Sequence, residues 1–315
     1  MVLVVIILAL MLTALLISFI CYRMAFHVKR VPIGNEITTP DGEIYDPFRD
    51  DMIRWIQEAR QMETQDFYIT SDDGLKLHGR FYEFAAGAPI ELMFHGYRGN
   101  AERDLSGGAQ RCFCLGRSAL LVDQRTSNES DGHVITFGIK EHHDCLRWID
   151  FVISHFGPDV KIILTGISMG ATTVMMAGGH PLPQNVIGIL ADCGFNSAKD
   201  IMHCVISDMG LPPRVCYPFV KLGARIFGHF DLEADTAESA MKRCSVPIIF
   251  FHGEDDDFVP SWMSRKCYDA CNARKKIVFV PGAGHGLSYP VAPELYLSAL
   301  RDFFGPDASY GIESA

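Results

Sequence analysis

Six short apolar runs constrain this chain more than any other feature: residues 90–94, 119–122, 160–165, 186–191, 247–251 and 277–280. Each stops at a polar or turn-forming group, namely His95-Gly96, Asp123, Gly166, Asp192, His252-Gly253 and Pro281-Gly282. Segments of helical length lie among them at 139–155, 169–178, 261–273 and 293–304. Strands that are apolar along most of their length have both faces covered, and strands separated by helices pair in parallel. The expected fold class is therefore α/β, a mostly parallel central sheet with helices on both faces. Ahead of it, 67–70 and 75–82 flank Ser71-Asp72-Asp73-Gly74 and read as a hairpin. In such sheets ligands bind beyond the carboxyl ends of the strands, and this chain's glycines, histidines and aspartates gather there.

The first 22 residues are of a different material. They carry no charged side chain and are dominated by Val, Leu and Ile, and about 20 apolar residues span a bilayer core as a helix. A cleaved signal peptide fits poorly, because no basic segment precedes the run and no small-x-small site follows it. Arg23, Lys29 and Arg30 come directly after. The bias of basic residues toward the cytoplasm therefore predicts a single-pass membrane protein with its body on the cytoplasmic side. The ten cysteines are scattered without zinc or redox spacing and read as reduced thiols, in keeping with that side. Residues 23–50 are expected to form a juxtamembrane linker, and 51–315 one catalytic domain. Within that domain 196–242 lacks a clear strand and reads as a small, mainly helical cap insertion over the site. A net charge of -10 argues against nucleic acid as a partner. Nothing in the sequence specifies an oligomeric state.

Gly166-Ile167-Ser168-Met169-Gly170 follows an apolar strand and opens a helix, the setting in which a serine becomes an exposed nucleophile. A hydroxyl needs a neighbouring base, and the base a carboxylate to orient it. His285, between Gly284 and Gly286, follows one later strand; Asp255, Asp256 and Asp257 follow another and compete for the orienting role. Backbone donors for an oxyanion are expected from Met169, next after the serine, and from Tyr97 in the loop His95-Gly96-Tyr97-Arg98-Gly99. His95 itself reads as structural. The acidic run lacks the alternation of a calcium loop, so neither a metal nor a cofactor is expected. Phe195, Phe219 and Phe227, with Met202, Met209 and Leu211, supply more apolar surface than an exposed insertion needs; Phe195, Phe219 and Phe227 are the expected substrate-binding side chains.

Together these residues resemble the α/β-hydrolase superfamily, and most closely its bacterial esterase/lipase-like members with an N-terminal membrane segment. The resemblance runs from about Phe67 to Phe304 and includes Asp192-Cys193-Gly194-Phe195 and His252-Gly253-x-x-Asp256-x-x-Val259-Pro260. It implies that Asp256 is the acid of a Ser168-Asp256-His285 triad and that Tyr97 and Met169 provide the oxyanion donors. It also implies an acyl-enzyme reaction on a small-molecule ester, with amidase, peptidase or acyltransferase chemistry as the alternative and a non-catalytic tethered protein as a third reading. Ser127-Asn128 departs from the family, which usually has His-Gly after Asp123-Gln124-Arg125.

Overall fold

The computed structural model describes residues 1–30, 32 and 34–310. All six apolar runs are strands, and the hairpin adds two more. The strands are β1 (Gln65–Thr70), β2 (Lys76–Tyr82), β3 (Ile90–Phe94), β4 (Ser118–Asp123), β5 (Ile162–Ile167), β6 (Val186–Asp192), β7 (Ile248–Gly253) and β8 (Lys275–Val280). They form one sheet in the order β1-β2-β4-β3-β5-β6-β7-β8. β2 is antiparallel to β1 and to β4, and every other pairing is parallel. The middle strands β3, β4 and β7 are buried at every residue, as a two-faced cover requires.

The helices are α1 (Val2–Ala25), α2 (Arg49–Gln61), α3 (Ala101–Asp104), α4 (Gly108–Cys114), α5 (Glu141–Phe156), α6 (Met169–Ala177), α7 (Ala198–Asp208), α8 (Pro213–Ile226), α9 (Ala237–Arg243), α10 (Trp262–Ala270), α11 (Ser288–Val291) and α12 (Pro293–Phe304). Register aligns the strand ends that matter: Phe94 pairs with Gly166, Ile167 with Asp192, and Gly253 with Val280. The loops carrying Tyr97, Ser168, Asp256 and His285 therefore leave the sheet along one edge.

Among the described residues, α1 is the one helix long and apolar enough to cross a membrane. Its last turns are not free of the body. Phe26 is fully buried between Phe137 and Phe230, and His27 bridges to Val134. The stretch expected as a linker is docked over much of its described length. A 3-10 helix at Glu43–Phe48 lies against the β8–α11 loop, with the Tyr45 hydroxyl donating to the His285 carbonyl at 3.0 Å. The insertion at 196–242 is helical as expected, but α8 packs along α1.

Glu91, in the middle of β3, is a charge in the core. It accepts from Arg117 at 2.6 Å, Arg111 at 2.5 Å and the Thr165 hydroxyl at 2.9 Å, and is fully buried. Burial alone would raise its pKa; the two guanidinium charges outweigh that and hold it at about 2. Removing one partner from such a cluster leaves an uncompensated buried charge, at a cost of about 3–5 kcal/mol. Glu91→Gln should therefore destabilise the protein by about that much in urea titrations of the detergent-solubilised chain. A loss under about 1 kcal/mol, the scale of an exposed pair, would mean that the two arginines are solvated.

Candidate active site

Ser168 joins β5 to α6 with φ of 55° and ψ of -119°, a backbone state that costs a non-glycine residue of order 1–3 kcal/mol. The flanking glycines explain how the turn is held. A Cβ on Gly170 would collide with the Phe94 carbonyl, and one on Gly166 with the backbone of Gly170. The Ser168 amide donates to the Asp192 carbonyl at 2.8 Å, tying the elbow to β6. The hydroxyl thus projects above the strand ends rather than into the sheet.

From Ser168 a chain of hydrogen bonds runs to a buried carboxylate. Ser168 Oγ lies 2.9 Å from His285 Nε2, and His285 Nδ1 lies 2.8 Å from Asp256 Oδ2. Of the three consecutive aspartates, Asp255 and Asp257 are exposed, and Asp256 alone is buried. Its Oδ1 accepts the amides of Val259 at 2.8 Å and Phe258 at 3.1 Å, and His252 Nε2 stands 3.2 Å from Oδ2. Burial pushes the carboxyl pKa up, but hydrogen bonds from His252, His285 and the Val259 amide outweigh it and hold the group well below the usual carboxylate range. An ionised Asp256 fixes the tautomer of His285: Nδ1 carries the proton it donates, which leaves Nε2 to accept from Ser168.

The loop after β3 closes over the serine. A Cβ on Gly96 would sit 3.5 Å from Ser168 Cβ and 3.8 Å from Oγ, so Tyr97 follows directly on a glycine that faces Ser168. Met169 is the first residue of α6, where backbone amides have no partner within the helix. His95 does not touch Ser168. Its Nε2 accepts the Gln124 amide at 3.0 Å, its Nδ1 donates to the Gly96 carbonyl at 2.8 Å, and it braces this loop against the end of β4. Ser127 donates to the Gly99 carbonyl at 2.8 Å. Asn128 donates to Asp123 at 2.7 Å.

Ser168 and His285 lie in the wall of a cavity of about 330 Å³, at the small end of ligand pockets, roughly 300–1,000 Å³. Its apolar lining includes Met52, Met93, Leu105, Ile167 and Leu190, and its polar lining includes Asp41, Arg98, Arg103 and Asp104. Phe195, Phe219 and Phe227 are not among the lining residues. Phe227 is occupied elsewhere, its ring 5.1 Å from Phe19 and 5.9 Å from Tyr22 of α1. Phe195 is buried, its main chain bonded in both directions to the Thr172 hydroxyl. Phe219 is half-buried on α8. The N-terminal segment contributes Pro40, Asp41 and Tyr45 to the lining instead.

Asp104 is a site residue that the sequence did not announce. Its carboxylate accepts the Gly96 amide at 3.1 Å and pairs with Arg103 at 2.6 Å, directly behind the loop that faces Ser168. Cys193, Asp256 and His285 offer donor atoms within 4.8 Å of one another. Burial pushes the Cys193 thiol far up and keeps it protonated. The facing His285 and Asp256 atoms are engaged with each other, so the donor set is suited to the hydrogen-bond relay rather than to an ion.

No family model matches the chain. It is 22% identical over 250 residues, 78% of its own length and 81% of the relative's, to the uncharacterised protein YqkD of Bacillus subtilis. It is 25% identical over 197 residues, 60% of this chain and 61% of the relative, to the uncharacterised membrane protein YNL320W of Saccharomyces cerevisiae. The esterase Pf2001 of Pyrococcus furiosus superposes with a TM-score of 0.66 at 18% identity, covering 89% of this chain and 97% of that one. The acylaminoacyl peptidase of Pyrococcus horikoshii superposes at 0.57 and 17% identity, over 82% of this chain and 44% of the peptidase. The chain thus has the α/β-hydrolase fold, with an N-terminal apolar helix that fits membrane anchoring.

Proposed function

We propose that the protein is a membrane-anchored serine hydrolase that cleaves small carboxylic esters through an acyl-enzyme. The observation that carries this reading is the unbroken hydrogen-bond chain from Asp256 through His285 to Ser168, ending in the wall of a cavity. His285 Nε2 takes the proton of the Ser168 hydroxyl as Oγ attacks the ester carbonyl. The ionised Asp256 stabilises the imidazolium that results. The amides of Tyr97 and Met169 receive the negative charge that develops on the carbonyl oxygen. His285 then protonates the leaving alcohol, and water repeats the sequence on the acyl-enzyme. No step calls for a metal or an organic cofactor. The likeness to an esterase supports the substrate class. The small cavity favours an ester over an extended peptide.

The reading stands or falls on Ser168 and Asp256. Ser168→Ala should abolish both p-nitrophenyl ester turnover and labelling by a fluorophosphonate probe, with circular dichroism unchanged. Asp256→Asn should lower kcat by ~10⁴, the size of the same change in a serine protease. Asp255→Asn and Asp257→Asn should be mild, because both carboxylates are exposed. Retained labelling in Ser168→Ala would remove the serine from the mechanism, and a sensitive Asp255 or Asp257 would reassign the acid.

Chain length tests the cavity. Each buried methylene is worth ~0.8 kcal/mol, so kcat/KM should rise by up to about 15-fold from acetyl to butyryl esters. Phe219→Ala and Phe227→Ala should keep that profile, since neither lines the cavity, whereas Leu105→Trp should flatten it. Efficient peptide cleavage together with a flat ester profile would favour the peptidase alternative.

The body lies on the cytoplasmic side in this reading, because Arg23, Lys29 and Arg30 follow the apolar helix. Cys114 is an exposed thiol and reports on this directly. A membrane-impermeant maleimide should label it in lysates and not in intact cells; labelling of intact cells would invert the topology.

A further inference from the structure

Helix α1 has 24 residues, a length of ~36 Å at ~1.5 Å per residue. Spanning a hydrocarbon core of ~30 Å takes about 20 of them. Yet α1 meets the body early. Leu8, Leu12 and Leu15 share an apolar groove with Leu222 and Ile226 of α8. Further along, Ser18 is buried against Gly223, where a Cβ would strike the Ser18 carbonyl, and Phe227 meets the rings of Phe19 and Tyr22. Residues 2–7 of α1, ~9 Å of helix, lie ahead of that groove, and the rest of its apolar length runs beside or past α8. A bilayer that holds α1 over its apolar length must therefore also reach α8.

The faces of α8 are sorted for that environment. Tyr217, Val220 and Ala224 are buried on the body, and Gly223 is the flank that meets α1. Val215, Leu222 and Ile226, seven and four residues apart, share the outward face and are 61%, 38% and 41% exposed. Met209 and Leu211 extend the patch into the α7–α8 turn, at 54% and 46% exposed. A contiguous apolar surface of this kind marks an interaction site. Arg214, Lys221 and Arg225 fall together on the remaining flank; Lys221 is paired there with Glu233, which leaves Arg214 and Arg225 as its outward cations. An apolar stripe beside a basic stripe is the pattern of a helix that lies in a membrane interface, with its basic side chains at the headgroups.

We propose that α8 is seated in the lipid bilayer beside α1, its Val215–Leu222–Ile226 face in the acyl region and its basic flank at the phosphates. The body is then held on the membrane by two packed helices. This rests on α1 entering the bilayer and is independent of the catalytic reading.

The test uses the full-length protein in phosphatidylcholine vesicles, with Val215, Leu222 or Ile226 replaced by the photo-crosslinking residue p-benzoylphenylalanine. Leu295, 45% exposed on α12, is the control position. Irradiation should give lipid adducts, read by mass, at all three α8 positions and none at 295. Flotation with the vesicles is scored in parallel. A protein that floats and gives no lipid adducts on α8 overturns the seating of α8 while leaving the anchor intact. A protein that does not float overturns both. Chain-to-chain products on α8 in place of lipid adducts would overturn the proposal and assign the face to a second copy.

Discussion

Everything at the site depends on how closely two pieces of backbone approach. Gly170 passes so near the Phe94 carbonyl that no side chain fits between them, and Gly166 passes equally near Gly170. With both positions empty, α6 can begin directly above the end of β3, and the single residue between strand and helix must take the positive φ that Ser168 shows. The loop after β3 passes over the serine, where the Cβ that Gly96 lacks would lie 3.5 Å from Ser168 Cβ, and the Tyr97 amide follows. The strain at Ser168 is offset by the fully buried strands on either side, which cannot shift to relieve it.

The strands, their parallel pairing and the order of serine, acid and histidine were all legible in the sequence, because each is written locally. An apolar run four to six residues long and a glycine-flanked serine carry their meaning within a short window. Identifying Asp256 among three aspartates needed the family pattern, because burial is what distinguishes it: the Val259 and Phe258 amides and His252 receive only that carboxylate. The cavity lining was not legible. Tyr45, Met52 and Asp104 reach the site through tertiary packing and carry no spacing signal. The aromatic residues of the insertion looked available for a substrate, since nothing local reveals that Phe227 is matched to Phe19 and Tyr22 some two hundred positions earlier.

Two carboxylates, one at the end of β6 and one in the loop just beyond β7, lie beside Ser168, and their surroundings separate their roles. Asp192, at the end of β6, is buried; burial raises its pKa, and the Ser288 hydroxyl that donates to it at 2.7 Å offsets that only in part. Asp256 receives two backbone amides and two imidazoles and is held ionised. Only a fixed negative charge can stabilise an imidazolium. The geometry gives His285 to that one, while Asp192 closes the cavity wall and helps hold the β8 loop through Ser288.

The apolar helix and the site also share a loop. The Tyr97 hydroxyl donates to the Ala25 carbonyl at 2.8 Å, and Arg98 donates to the Met24 carbonyl at 2.7 Å. Both carbonyls belong to the last turn of α1, where helix carbonyls lack partners within the helix. Tyr97, whose amide is the proposed oxyanion donor, is thus anchored, through its own side chain, to the end of the N-terminal apolar helix. Phe26, wedged between Phe137 and Phe230, keeps that last turn from fraying. Tyr97 packs on Phe137 as well, with ring centroids 5.1 Å apart. The end of α1 therefore serves as part of the scaffold that fixes the loop over Ser168, and the β3 loop cannot move away from Ser168 without breaking contacts to α1.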